Sequence, residues 1–181
     1  MIRFFIFYII VVHYRVARML IREAIDGDNN YLSSPLLTMN RILSHPLVKG
    51  KGCFVDVGCG EGLVALMMRL FHHKKVVCCD TQRHYLKMIN VVRSILLISK
   101  VNCSSNLPYF DHDDVVFLCV WTSWSKLNRQ RMISQFLSHI PKGGILVTIS
   151  HGIRCSEFQE IHSTVDQFAW GNASVYYYQH I

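Results

Sequence analysis

The chain has 181 residues, half of them hydrophobic and 17% charged, which is enough apolar content for one buried core and excludes a disordered or low-complexity chain. Its 19 Lys and Arg against 12 Asp and Glu give a formal net charge of +7, a balance that favours polyanionic partners, nucleic acid first and anionic membrane second. The seven cysteines, at 53, 59, 78, 79, 103, 119 and 155, lie mostly in apolar runs and form no CxxC-like pair, so they read as buried free thiols in a reducing compartment, and no metal site is expected.

At the start of the chain Arg3 precedes the apolar run Phe4 to Val12, which resembles the front of a signal peptide. The run is too short to span a bilayer as a helix, and no small-x-small cleavage site follows. Beyond His13-Tyr14-Arg15 the apolar stripe resumes at Val16, Met19, Leu20 and Ile25. Residues 1–33 are therefore expected to form a helix packed on the domain, followed by a lid segment, in preference to a targeting or membrane element.

The main domain is expected over residues 34–181. Ser34 as N-cap and Pro35 in the first turn start a helix with Leu36, Met39, Ile42 and Leu43 inward, ending near His45-Pro46. Cys53 to Val57 reads as a buried strand and Gly62 to His73 as a helix; Val76 to Cys79 is a second strand, ending at Asp80. Arg83 to about Ser99 has helical spacing, Val101 to Cys103 is a short third strand, and Val115 to Trp121 is an unbroken apolar run suited to a central parallel strand. A helix near Leu127 to His139 and the turn Pro141-Lys142-Gly143-Gly144 lead to a fifth strand, Ile145 to Ile149. Ser156 to Ser163 reads as a short helix, and Gln167 to Trp170 with Ser174 to Tyr178 as a hairpin across Gly171-Asn172. This order predicts an α/β fold: a doubly wound, mostly parallel seven-stranded sheet with helices on both faces and a C-terminal antiparallel hairpin.

Glycines 58, 60 and 62 let the backbone turn sharply between a strand and a helix N-terminus, where a ligand can approach closely. A dinucleotide site prefers G-x-G-x-x-G, but position 63 is leucine, and Asp56, just before the turn, suits an ammonium group and not a pyrophosphate. Asp80, 20 residues beyond Gly60, stands where a carboxylate can accept both hydroxyls of a ribose. Together with the Pro-Lys-Gly-Gly turn and the terminal hairpin, these features make residues 34–181 resemble the class I, Rossmann-like S-adenosylmethionine-dependent methyltransferases. The resemblance implies S-adenosylmethionine as cofactor, with Asp56, Gly58, Cys59 and Gly60 at its amino-acid end, Asp80 at the ribose and Trp121 alongside. For adenine, Asn102 is favoured over Cys103 and Ser104.

Methyl transfer from a sulfonium mainly requires an electron pair held about 3 Å from the methyl on the correct axis. Family active sites usually place catalytic residues after the fourth strand, here Trp121-Thr122-Ser123-Trp124. An Asn/Asp-Pro-Pro-aromatic motif, a Pro-Cys dipeptide and a Lys-Asp-Lys-Glu set are all missing, and the glutamates are only Glu23, Glu61, Glu157 and Glu160. Aromatic, hydroxyl and basic residues without a general base suit an acceptor that already exposes a lone pair, such as guanine N7. A purine would stack on Trp121, Trp124 or Tyr31, with Thr122 and Ser123 nearby and Lys126, His151 or Arg154 on phosphates. The chain thus resembles a minimal RNA cap guanine-N7 methyltransferase of the nidovirus replicase type, excised from a polyprotein at Met1 and acting on capped RNA in the host cytoplasm. Alternatives are a protein-lysine or small-molecule methyltransferase, with Asp28 to Pro35 and Tyr31 as a substrate lid, and a catalytically silent RNA-binding or activating subunit. Retention of both Asp56 and Asp80 argues against the silent subunit.

Overall fold

The computed structural model describes residues 35–181 apart from His73, Leu96 and Ser123. The expected N-terminal helix and lid over residues 1–33, with Tyr31, and the expected Ser34 cap lie outside the described residues. Within them the elements are α1 (Leu36–Leu43), α2 (Pro46–Lys49), β1 (Cys53–Val57), α3 (Leu63–Phe71), β2 (Lys75–Cys79), α4 (Arg83–Ile95), β3 (Val101–Ser104), β4 (Val115–Val120), α5 (Lys126–His139), β5 (Ile145–Ile149), β6 (Phe158–Phe168) and β7 (Gly171–His180). The strands form one sheet in the order β3-β2-β1-β4-β5-β7-β6. Strands β1 to β5 run parallel, and β7 pairs antiparallel with both β5 and β6.

Strands β1 and β5 are buried at every position, as parallel strands covered on both faces must be. On one face Val55, Val57, Val115, Phe117 and Cys119 pack with Phe136 from α5 and with Ile140, which caps its C-terminus. Phe136 is the hub, its ring 6.3 Å from that of Phe117 and 6.2 Å from that of Trp121. Alternation turns Phe54, Asp56, Val76, Cys78 and Val101 to the opposite face, which α3 and α4 cover with Leu66, Met67, Leu86 and Ile89. The first helix buries Met39, Ile42 and Leu43, as its spacing predicts. No helix among the described residues is long and apolar enough to cross a membrane.

The C-terminal region departs from expectation. Residues 156–163 are not a helix; β6 runs through them. A bulge between Glu160 and His162 leaves the half-buried Ile161 without a register partner on β7 and breaks the two-residue alternation by which a strand is recognised. The hairpin turns at Ala169-Trp170, two residues before the expected Gly171-Asn172, and Gly171 (φ 112°) opens β7. Pro35 occupies the N-cap of α1 in extended conformation instead of its first turn. Past His45 the chain makes one further helical turn, α2, whose N-cap is the His45 ring accepting from the Leu47 N–H. The left-handed Leu97 (φ 51°) follows α4 and turns the chain before the expected end near Ser99.

The hairpin is joined to the loop after β5 through Tyr178, a buried residue whose hydroxyl accepts the Ile153 N–H at 2.9 Å. Removing that acceptor strands a buried donor. Tyr178→Phe should therefore lower stability by about 1–2 kcal/mol, read as a lower urea midpoint at unchanged slope.

Candidate functional site

The C-terminal ends of β1, β2 and β4 lie side by side, and the turn 58–62 crosses them. The Gly58 and Cys59 N–H groups both donate to the Cys79 carbonyl, at 2.8 and 3.0 Å, and the Gly60 N–H donates to Asp80 Oδ2 at 2.9 Å. Gly58, Gly60 and Gly62 all have positive φ (73°, 49° and 72°), which glycine adopts without strain. Gly62 is also sterically required, because a Cβ there would lie 2.5 Å from Ile89 Cγ1. At Gly58 the surface is open, and a Cβ would come no nearer than 3.5 Å to the Trp124 indole. One glycine serves helix packing and the other leaves the backbone approachable.

Asp56 sits beneath this turn, 5% exposed. The N-cap of α3 is Gly62, which has no side chain to satisfy the helix's free N–H groups, and the Asp56 carboxylate reaches across to accept the Ala65 N–H. Its second oxygen, Oδ2, is buried and has no hydrogen-bond partner among the described residues. Burial, with a smaller push from the charge of Asp80, raises the Asp56 carboxyl to about 7 against the opposing Ala65 bond. A buried acceptor in this state is suited to a cationic donor such as an ammonium group. Asp80 is tied down by Gly60 and, through Oδ1, by the Gln82 N–H at 2.8 Å, so it orders the turn and keeps lone pairs for a further donor. Cys59 is buried, with its thiol against the sheet.

Trp121 requires a correction. It is fully buried between Trp124 and Phe136, and its Nε1–H donates to the His151 carbonyl at 2.8 Å. Neither face is open to a base, because this residue follows directly on a central strand and completes the α5-side core. Asn102 also stands apart from its expected place. It is the second residue of β3, in register with Val77 and exposed, whereas Ser105 and Asn106 follow the strand.

Trp124 is half-buried beside Gly58. Thr122 Oγ1 lies 2.7 Å from Ser150 Oγ, linking the ends of β4 and β5. Lys126 opens α5 and Arg154 lies in the loop after β5, both exposed. Burial and the charge of Arg129 lower the His151 imidazole below its ordinary range, so at neutral pH it offers a hydrogen bond and not a charge. Ser123, like Tyr31, lies outside the described residues.

Sequence reasoning missed Arg129, whose Nη1 donates to the Trp124 carbonyl at 2.5 Å, and Ser150, held at φ 81°. Arg129 reads as an exposed position of a polar helix, and a side chain's strained backbone leaves no sequence signal. Among the described residues no group of three or more His, Cys, Asp or Glu could hold a metal.

No protein-family model matches the chain, and no curated protein matches it in sequence. Solved structures match it in fold. A mutant of MtNAS in complex with S-adenosylmethionine is 11% identical with a TM-score of 0.63, over 80% of this chain and 63% of that one. A geranyl diphosphate methyltransferase in complex with S-adenosylmethionine is 13% identical with a TM-score of 0.61, over 80% and 85%. The [4+2]-cyclase SpnF is 12% identical with a TM-score of 0.64, over 80% and 80%. The chain spans about three fifths of the length of the MtNAS structures it matches. The architecture is the Rossmann-like fold of the class I methyltransferases. A cyclase among the matches means that this fold serves more than one chemistry, so function must be argued from the site.

Two outcomes follow from the burial of Asp56 and Trp121. In the unfolded chain an Asp carboxyl titrates near about 3.9, and in the fold Asp56 titrates at about 7, so the folded state holds the proton more tightly. The stability that this proton confers is complete below about pH 4 and is lost as pH rises through 7. The ligand-free Asp56→Asn protein should therefore exceed the parent at pH 8 by on the order of 2–4 kcal/mol, with the two melting curves converging near pH 4. Trp121→Ala should cost about 3–5 kcal/mol of stability, measured by denaturant titration; an unchanged midpoint would contradict its place in the core.

Proposed function

We propose that the chain is an S-adenosylmethionine-dependent methyltransferase and that its acceptor is guanine N7 of capped RNA. The observation that carries the cofactor reading is the buried Oδ2 of Asp56, without a partner among the described residues, under a glycine turn whose backbone leaves room at Gly58. Asp56 would hold the cofactor's ammonium group, the open backbone at Gly58 its amino-acid end, and Asp80 the ribose hydroxyls. When bound, the cofactor supplies an electrophilic methyl on a sulfonium. The fold's likeness to two structures solved with S-adenosylmethionine, one of them a methyltransferase, supports the same reading.

The acceptor reading rests on charge and on the missing base. No acidic residue occurs between Asp114 and Glu157, the stretch that supplies β4, α5, β5 and their C-terminal loops. Lys126, Arg129, Arg131, Lys142 and Arg154 all fall within it. A lysine acceptor would arrive as a cation and meet no carboxylate there, whereas an RNA phosphate would meet several cations. Guanine N7 presents its lone pair without deprotonation, so positioning suffices. With Trp121 in the core, stacking falls to Trp124, while the Thr122 and Ser150 hydroxyls offer hydrogen bonds to a base edge.

Calorimetry should find micromolar S-adenosylmethionine binding that is lost in Asp80→Ala and in Gly58→Val. Unchanged affinity in both folded variants would sink the cofactor assignment. With capped RNA as substrate, Trp124→Ala should lose about tenfold or more in turnover, the scale of one stacked base. Arg154→Ala should weaken RNA binding and flatten its salt dependence. Mass spectrometry of digested product should place the methyl on the cap guanine base; a methyl on ribose, on an internal base or on lysine would reject the acceptor and leave methyl transfer standing.

A further inference from the structure

A row of sulfur chemistry runs directly beneath the glycine turn. Cys103 on β3 is the register partner of Cys78 on β2, and Cys78 is in turn the register partner of Asp56 on β1. The three side chains share one face of the sheet: a part-exposed thiol, a fully buried thiol and the buried carboxylate. The Cys78 thiol is near enough to Cys103 and to Cys59, the second residue of the turn, to shift the titration of both. The next residue along β2, Cys79, accepts the Gly58 and Cys59 N–H groups through its carbonyl. Any displacement of the Cys78 sulfur is therefore passed to the turn by two routes, through Cys59 and beside Asp56.

Neighbouring strands lie about 4.8 Å apart, inside the Cα separation of roughly 4.4–6.8 Å that a disulfide spans. The two thiols differ in reactivity. The hydrogen bond with Cys78 holds the Cys103 thiol down to about 7, and the nearby Arg93 acts in the same direction against partial burial. Hydrogen bonds to Cys103 and Cys59, with burial, push Cys78 far above the ordinary thiol range. Cys155, the other part-exposed cysteine, is pushed up by burial and by its contact with Glu157. Cys103 thus combines access with thiolate character, and a second thiol waits beside it.

We propose that Cys103 and Cys78 form a peroxide-sensitive thiol pair whose oxidation to an intramolecular disulfide weakens ligand binding at the glycine turn. The Cys103 thiolate attacks one oxygen of hydrogen peroxide; the O–O bond breaks, and the departing hydroxide takes a proton to become water, leaving a sulfenic acid. The Cys78 sulfur then displaces that hydroxyl, forming the S–S bond as the S–O bond breaks, and its proton leaves with the hydroxyl as a second water. Two thiols are oxidised and one peroxide is reduced, and a dithiol reverses the change. Joined sulfurs sit about 2.0 Å apart, so Cys78 is drawn towards β3, loses its S–H and can no longer act as a donor towards Cys59. The binding consequence rests on the S-adenosylmethionine reading; formation of the disulfide does not.

The test uses the full chain. After hydrogen peroxide treatment and alkylation, non-reducing peptide mapping should recover a Cys78–Cys103 cross-link, and limited iodoacetamide on untreated protein should label Cys103 before Cys155. Calorimetric affinity for S-adenosylmethionine should fall by about tenfold or more on oxidation and return with dithiothreitol. In Cys78→Ala the same treatment should give no cross-link, and Cys103, having lost the partner that holds its thiol down, should form a dimedone-captured sulfenic acid more slowly than the parent loses its free Cys103 thiol. Absence of the cross-link, a link from Cys78 to Cys59 instead, or full affinity in the cross-linked protein would overturn the proposal. Reduced protein that fails to bind the cofactor would sink the cofactor reading and its binding consequence, while the cross-linked peptide judges the thiol pair separately.

Discussion

The C-terminal edge of the sheet depends on one short set of hydrogen bonds: the Cys79 carbonyl and the Asp80 carboxylate hold the turn 58–60 against the end of β2. Because β1 and β2 are parallel and adjacent, their ends arrive together, and a tight left-handed turn leaving β1 meets acceptors leaving β2. That coupling sets the start of α3, and the start of α3 in turn gives the Asp56 carboxylate a donor, Ala65. Without the turn, neither the helix N-terminus nor the buried carboxylate would have its present place.

The arrangement carries an electrostatic cost. A carboxylate with one oxygen unpartnered in the core is an unfavourable element of a ligand-free fold, and the upward displacement of its titration expresses that cost. Such groups persist where a ligand supplies the missing donor, so folding free energy is held in reserve for binding. The sulfur row beside Asp56 adds a second sensitivity at the same place, since Cys78 touches both the turn and the edge strand.

On the other face the constraint is packing. Phe136 and Trp121 close the core between α5 and the central strands, and the Trp121 indole pins the His151 carbonyl that Thr148 also holds. This rigid floor fixes the loops after β4 and β5, bringing Trp124 beside Gly58 and joining Thr122 to Ser150. The polar groups of the candidate acceptor side are thus borne on residues whose positions the core dictates.

The alternation of apolar runs with helical spacing, and the placement of glycines after a strand and before a helix, are local patterns, and they determined the order of elements, the doubly wound class and the location of the turn. Periodicity decides such features because each residue's face follows from its own neighbours in sequence. It failed where a single inserted residue shifted the phase: the bulge in β6 interrupts the alternation within residues 156–163, where a helix is expected. Burial of Trp121, the exposed mid-strand place of Asn102, the unpartnered oxygen of Asp56 and the Cys103–Cys78–Asp56 row were decided only by the tertiary structure. Each depends on which strands become neighbours and in what register, and on which helix lies over them. Those pairings join residues far apart in the chain, so no local pattern encodes them.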